Sequence, residues 1–192
     1  MSQLAPIPGR EDAILDAAFH AFAGYGYRRV TMEDIAAGAG LSRTALYQHF
    51  RNKEDIFRSL SERHFETCLT EMDRVLQGTS PAAEVLQAAF AAKDGKFMDV
   101  VLGTPHGREL LDAGSALSAE VAGRAEGQMA DLLAGWIGRQ GASASESLGD
   151  PALLGKTVMA ALKGLKSSAR TLEDYREGQA ALARMVARAL GR

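Results

Sequence analysis

Thr31–Lys53, TMEDIAAGAGLSRTALYQHFRNK, decides the fold. It predicts two short helices joined by a tight turn. The Thr31 hydroxyl can accept a hydrogen bond from an otherwise orphan amide of the first turn, and Glu33 and Asp34 complement the positive end of the helix dipole. Ile35, Ala36 and Ala39 supply an apolar stripe. Gly40 can take the positive φ that turns the chain sharply, and Ser42 then caps a second helix. In that helix Leu46 and Phe50 stand four apart, on one face, and should pack inward against Ile35. The spacing describes a helix-turn-helix.

Arg43, Thr44, Tyr47 and Gln48 are left facing outward. An Arg fork and a Gln amide can each grip a base edge with two hydrogen bonds, whereas hydroxyl, imidazole and ammonium groups suit phosphate oxygens. Thr31, Tyr47, His49 and Lys53 are the phosphate candidates, Arg43 and Gln48 the base candidates; whether Arg43 or Thr44 reaches a base stays open. The plainer alternative is a helical adaptor that binds only proteins, in which Arg43, Tyr47 and Lys53 are ordinary solvated side chains. Binding to duplex DNA, and its dependence on salt, separates the two.

The wider pattern, AFAGYGYRRVT followed by IAAGAGLSRTALYQHFRNKEDIF, resembles the N-terminal DNA-binding domain of TetR-type transcriptional regulators. The resemblance covers about Arg10 to Phe57, with Gly26, Tyr27, Thr31, Ile35, Ala36, Gly40, Ser42, Tyr47, Phe50 and Lys53 in place. It implies a ligand-responsive regulator that binds a palindromic operator in double-stranded DNA as a homodimer and is released by a small-molecule effector. A repressor is the expectation, an activator the alternative. Ser42 joins Thr31, Arg43, Thr44, Tyr47, Gln48, His49 and Lys53 as an expected DNA contact. The implied division is a flexible arm over 1–9, a helix-turn-helix DNA-binding domain over 10–55 and a helical ligand-binding and dimerisation domain over 56–192. Beyond Phe57 the likeness is one of helical layout only.

Charge alone would not suggest a nucleic-acid partner. The 192 residues carry a net charge of −2, and up to Asp55 six bases face seven acids. Position matters more than the sum, because contact electrostatics fade within a Debye length of roughly 8–10 Å. Arg28 and Arg29 precede the first helix of the motif, Arg43 opens the second, and Arg51 and Lys53 follow it, while several acids sit at helix starts. Hydrophobic residues make up 46 % of the chain, and no apolar run approaches the roughly 20 residues that span a bilayer. The start, MSQLAPIPGRED, lacks an apolar signal core, so a cytoplasmic protein with no membrane partner is expected. Cys68 is the only cysteine, which excludes an intrachain disulfide; on its apolar stripe it reads as a small core residue rather than a redox sensor.

Outside the motif the periodicity is helical and no stretch reads as a strand. Helices are expected over Arg10–Ala23, Lys53 to about Gln77 with Asn52 as cap, and from Ser80 and Pro81 onward, with proline in the first turn. Asp94–Gly103 is open between helix and irregular chain. Thr104 and Pro105 begin a short helix to about Asp112, ended by Gly114 and Ser115. Then come a long helix over about Ser118–Gln140, a loop GASASESLGD, a helix after Asp150 and Pro151, and a last one capped by Thr171. The sum is an all-α protein of about nine helices.

Bundles place small-molecule sites between helices. The candidates are Phe65 and Met72 on the long helix, Phe90, Phe97 and Met98 after it, and Met129 and Trp136 further on, with His64 and His106 as the polar members. Met and aromatic stripes at helical spacing are expected in any bundle, so the plainer reading of each is a core residue. The closing helices carry excess apolar surface at Leu162, Leu165, Leu182, Met185 and Val186, which is core on the plain reading and, by the family resemblance, a dimer interface. No HExxH, cysteine pair or acidic cluster suggests a metal. No phosphate loop, GxGxxG or GxSxG suggests an enzyme. No metal, cofactor or catalytic residue is expected.

Overall fold

A computed structural model describes residues 9–95, 97–104, 106–140 and 149–191, without the side chains of 98, 101, 102, 108, 111, 114 and 115. Among the described residues the chain forms ten helices and no strand, so the all-α expectation holds. In order they are α1 (Arg10–Tyr25), α2 (Met32–Gly38), α3 (Arg43–Tyr47), α4 (Lys53–Leu76) and α5 (Ala82–Asp94), then α6 (Phe97–Gly103), α7 (Gly107–Leu117), α8 (Ala119–Gly138), α9 (Pro151–Ser168) and α10 (Leu172–Ala189).

The extra helix is α6, the stretch left open by its sequence. Two further expectations are corrected nearby. α7 begins after Thr104 and Pro105, and it runs through Gly114 and Ser115 to Leu117. A glycine inside a helix costs only about 1 kcal/mol relative to alanine, which neighbouring turns can absorb. Pro81 is the N-cap of α5 rather than its first helical residue, and no side chain caps that end. Asp150 behaves as expected: its carboxylate accepts from the Ala152 amide at 3.0 Å, and Pro151 follows in the first turn.

The chain divides into two compact units. The first is the described part of Met1–Glu62 with Gly103–Ala119, which brings in α7; the second is Arg63–Leu102 with the described part of Glu120–Arg192. α4 supplies residues to both. By contact, the first unit reaches past residue 55 and takes in a helix from well inside 56–192.

Ile14, Ala18 and Phe22 of α1, Ile35 and Ala36 of α2, Leu46 of α3 and Ile56 and Phe57 of α4 are all buried in the first unit. Phe22, Tyr27 and Phe57 form an aromatic trio, with ring centroids 5.2–5.8 Å apart. The second unit has a larger core: Met72 and Leu76 of α4, Leu86 and Phe90 of α5, Met129, Leu133 and Trp136 of α8, Leu162 of α9 and Ala183 of α10. α10 packs along α5 and against α9.

Candidate nucleic-acid interface

The two helices of the motif are short, so their ends must be held by side chains rather than by length. Thr31 and Asp34 do this reciprocally: the Asp34 amide donates to the Thr31 hydroxyl at 3.2 Å, and the Thr31 amide donates to the Asp34 carboxylate at 2.8 Å. The Thr31 hydroxyl also donates to Asp34, at 2.7 Å, and these bonds hold the Asp34 carboxyl below the ordinary carboxylate range. Gly40 adopts φ 67°, the left-handed conformation the turn demands. The Ser42 hydroxyl accepts from the Ala45 amide at 3.1 Å and starts α3.

α3 is shorter than the spacing predicts. It ends at Tyr47, and Phe50 lies beyond it. Phe50 stays buried because the chain continues in hydrogen-bonded turns, its amide reaching the Leu46 carbonyl at 3.0 Å. Ser42, Arg43, Thr44, Tyr47 and Gln48 are all exposed, a row of donors and acceptors on the solvent side of a helix whose other side is Leu46. The Arg43 guanidinium forms an ion pair with Glu33 of α2 and lies over the Tyr47 ring, 5.5 Å from its centroid. The half-buried His49 stands 3.7 Å from Glu11 of α1.

Lys53 is placed differently from the rest. Its ammonium donates to the carbonyls of Tyr27 at 2.8 Å, Val30 at 2.9 Å and Arg28 at 3.3 Å, and it sits 4.5 Å from the centroid of the Tyr27 ring. An ammonium has three donors, and all three are engaged. Tyr27 below it is half-buried, and burial pushes its phenol pKa up, with Glu54 adding to the effect. From the other side, Glu109 of α7 accepts from the Arg28 amide at 2.7 Å. Gly26, at φ 84°, admits that carboxylate, since a Cβ there would collide with it. The turn carrying Arg28 and Arg29 is thus held by a cation and an anion from two different helices.

The second unit brings together some of the pocket candidates. His64 contacts Phe65 and Phe97, each with ring centroids 5.3 Å away, and its Nε2 lies 3.6 Å from the Cys68 sulfur. Burial pushes His64 down to about 4 and the Cys68 thiol up to about 11, so at neutral pH both are uncharged. Met72, Phe90, Met129 and Trp136 are buried in the shared core. His106 falls in the first unit instead, with Glu109 at 3.9 Å. The Met98 side chain lies outside the described residues. Of the expected dimer residues, Met185 is exposed, Leu165, Leu182 and Val186 are half-buried, and Leu162 is fully buried within its own chain. Leu162 therefore cannot line a surface.

Sequence reasoning missed a polar cluster beneath these residues. Asp94, the last residue of α5, accepts from the Tyr175 hydroxyl at 2.6 Å, the Gln179 amide at 3.0 Å and the Lys93 ammonium at 3.1 Å, with Lys166 at 3.8 Å. The one available signal was Tyr175 and Gln179, four apart on the apolar stripe of the last helix. Among the described residues no helix is long and apolar enough to cross a membrane.

A capped helix-turn-helix with an exposed polar row, followed by a helical bundle, defines a class: all-helical proteins built like bacterial helix-turn-helix regulators. Residues 14–60 match the sequence model of "Bacterial regulatory proteins, tetR family". Over that stretch the chain is similar to the family. It is 30 % identical over 106 residues to the HTH-type transcriptional activator FasR of Mycolicibacterium smegmatis, covering 55 % of this chain and 47 % of that one. With the HTH-type transcriptional repressor KstR2 of Mycobacterium tuberculosis it shares 31 % over 86 residues, covering 45 % and 43 %. The chain thus spans less than half the length of these relatives. Among solved structures, a transcriptional regulator from Cytophaga hutchinsonii superposes with a TM-score of 0.72 at 21 % identity, over 94 % of this chain and 98 % of that one. A SmeT–triclosan complex does so at 0.63 and 21 %, over 92 % and 89 %. At such identities the likeness is one of fold.

Proposed function

We propose that this protein is a ligand-responsive transcriptional regulator: a homodimer that binds a palindromic operator through residues 10–55 and is released by a small molecule held within 56–192. The observation that carries the reading is the exposed row Ser42, Arg43, Thr44, Tyr47 and Gln48 on a capped helix, within the stretch that matches the family. A repressor is favoured because KstR2 is named as one; FasR, named an activator, supports the second reading. Two recognition helices must reach successive major grooves about 34–36 Å apart, which calls for two copies of the chain. Met185, with Leu165, Leu182 and Val186 beside it, is the face proposed to join them. The SmeT–triclosan complex shows a small molecule bound to a protein of this fold, which motivates an effector here.

In this reading Arg43 exchanges its Glu33 partner for DNA, and Ser42, Thr44, Tyr47, Gln48 and His49 supply further contacts. Thr31 and Lys53 support binding chiefly through the caps and turn they hold. Duplex fragments from the DNA flanking its coding region, screened for binding, provide the test. Arg43→Ala or Gln48→Ala should relax sequence choice at one position of each half-site by roughly 1–3 kcal/mol. Unaltered binding in both variants would remove these residues from the interface, and binding to no duplex would favour the adaptor.

A further inference from the structure

The cluster around Asp94 holds more positive charge than its acid can balance. Lys93 and Asp94 are only 8 % and 6 % exposed, and Lys166 enters from α9 with its side chain 26 % exposed. Both ammonium groups address the same carboxylate oxygen, Oδ1, at 3.1 and 3.8 Å. The other oxygen, Oδ2, is taken by the Tyr175 hydroxyl and the Gln179 amide. Asp94 has little acceptor capacity left. Lys93 has three donors, and among the described residues its only hydrogen-bond acceptor is Asp94. The other nearby acid, Glu126, pairs with Lys163 at 3.8 Å.

Besides the two acids, Asp94 and Glu126, an uncharged imidazole stands near the two lysines. His64 lies close enough to Lys166, Asp94 and Lys93 for all three to act on its charge, and its low pKa leaves it neutral. Phe65 and Phe97 flank its ring. Burial lowers the pKa of Lys166 as well, while the nearby Asp94 and Glu126 act to raise it. A buried charge is stable only when paired and hydrogen-bonded, and a surplus cation in a largely apolar interior is the complement of an anion with an apolar body.

We infer that Lys93 and Lys166 form the seat for the acidic end of the effector, a small organic monoanion of the carboxylate class whose apolar body lies against Phe65 and Phe97. A dianion such as a phosphate monoester fits less well, because two cations and one carboxylate leave a surplus of one. The inference rests on the effector reading above and sharpens it: the ligand is an acid, and its neutral analogues are poor substitutes.

Trp136, the only tryptophan, lies in the core of the same unit and reports binding by its fluorescence. The full-length protein is titrated with benzoate, octanoate and 2-naphthoate, each beside its primary amide, at constant ionic strength near neutral pH. At least one acid should bind at least about tenfold more tightly than its amide. Lys166→Met, at a side chain that is not fully buried, should bring acid and amide within about twofold while the helical circular dichroism is kept. Equal binding of acid and amide in the wild type overturns the inference with no variant needed, as does binding of none of the acids. So does a preference for the acid that survives Lys166→Met. DNA affinity is measured separately with and without the bound acid. If no duplex is bound, or the acid leaves DNA affinity unchanged, the regulator reading fails while the anion seat stands.

Discussion

The helix-turn-helix surface of the first unit and the Asp94 cluster of the second handle charge in opposite ways. In the first, Arg43 and Glu33 meet in the open, with side chains 61 % and 52 % exposed, and the exposed Arg51 pairs with a half-buried Asp55. Such pairs are worth about 0–1 kcal/mol, because water and salt compete on equal terms. In the second, Asp94, Lys93, Tyr175 and Gln179 are buried and only Lys166 keeps contact with solvent; there, removing one partner strands another. The difference teaches what each region can do. An exposed pair can be exchanged for a phosphate or a base edge at little cost, which suits an interface that must form and dissolve. An enclosed cluster resists exchange unless a ligand supplies the missing charge.

The largest break in this comparison comes from Asp94. Asp94→Ala leaves the Lys93 ammonium buried without its acceptor and removes the anchor of Tyr175 and Gln179, and should cost about 3–5 kcal/mol in urea unfolding. Asp94→Asn, which keeps acceptor oxygen, should cost clearly less; equal losses would show that shape, not charge, holds the cluster.

Lys53 sharpens the comparison from the other side, since it is a cation in the first unit that is not free to exchange. Lys53→Met removes three bonds to carbonyls and a contact with Tyr27, and should destabilise by about 2–3 kcal/mol. DNA affinity should fall with it. If Lys53 were only a phosphate contact, binding would weaken at unchanged stability, a result that thermal unfolding beside a DNA titration would reveal.

His64 gives the smallest effect, since its ring keeps some contact with solvent. Its pKa falls from the ordinary 6.5 to about 4, so between those values the unfolded chain holds the proton and the folded chain does not. Stability contributed by neutral His64 is therefore full above about 6.5 and declines as pH falls toward 4. His64→Phe should flatten that part of the stability–pH curve; an unchanged slope would place the titration elsewhere.

The helix-turn-helix was legible because its determinants are local. Thr31 caps three residues ahead, Ser42 does the same, and Gly40 lies between them. α7 was harder because Gly114 and Ser115 are local stop signals that the helix runs through, whereas α6 does end at Gly103, ahead of the Thr104–Pro105 pair. The Asp94 cluster was invisible because its partners Tyr175 and Gln179 stand more than 80 positions away, and no local pattern announces a pairing at that distance. Lys53 misled for a related reason. Its type and place beside the motif suggest a phosphate contact, while the carbonyls it binds lie 23 to 26 positions earlier.

The bond from Glu109 to the Arg28 amide bears on the order in which the molecule can be made. α1, α2, α3 and the start of α4 leave the ribosome together and can pack at once, with Lys53 already present to hold the carbonyls of Tyr27, Arg28 and Val30. The carboxylate that holds the other side of that turn is encoded 81 positions after Arg28. At roughly 5–20 residues per second it follows only some seconds later. During that interval the turn between α1 and α2 is secured from one side alone, and the arrival of α7 supplies its second hold.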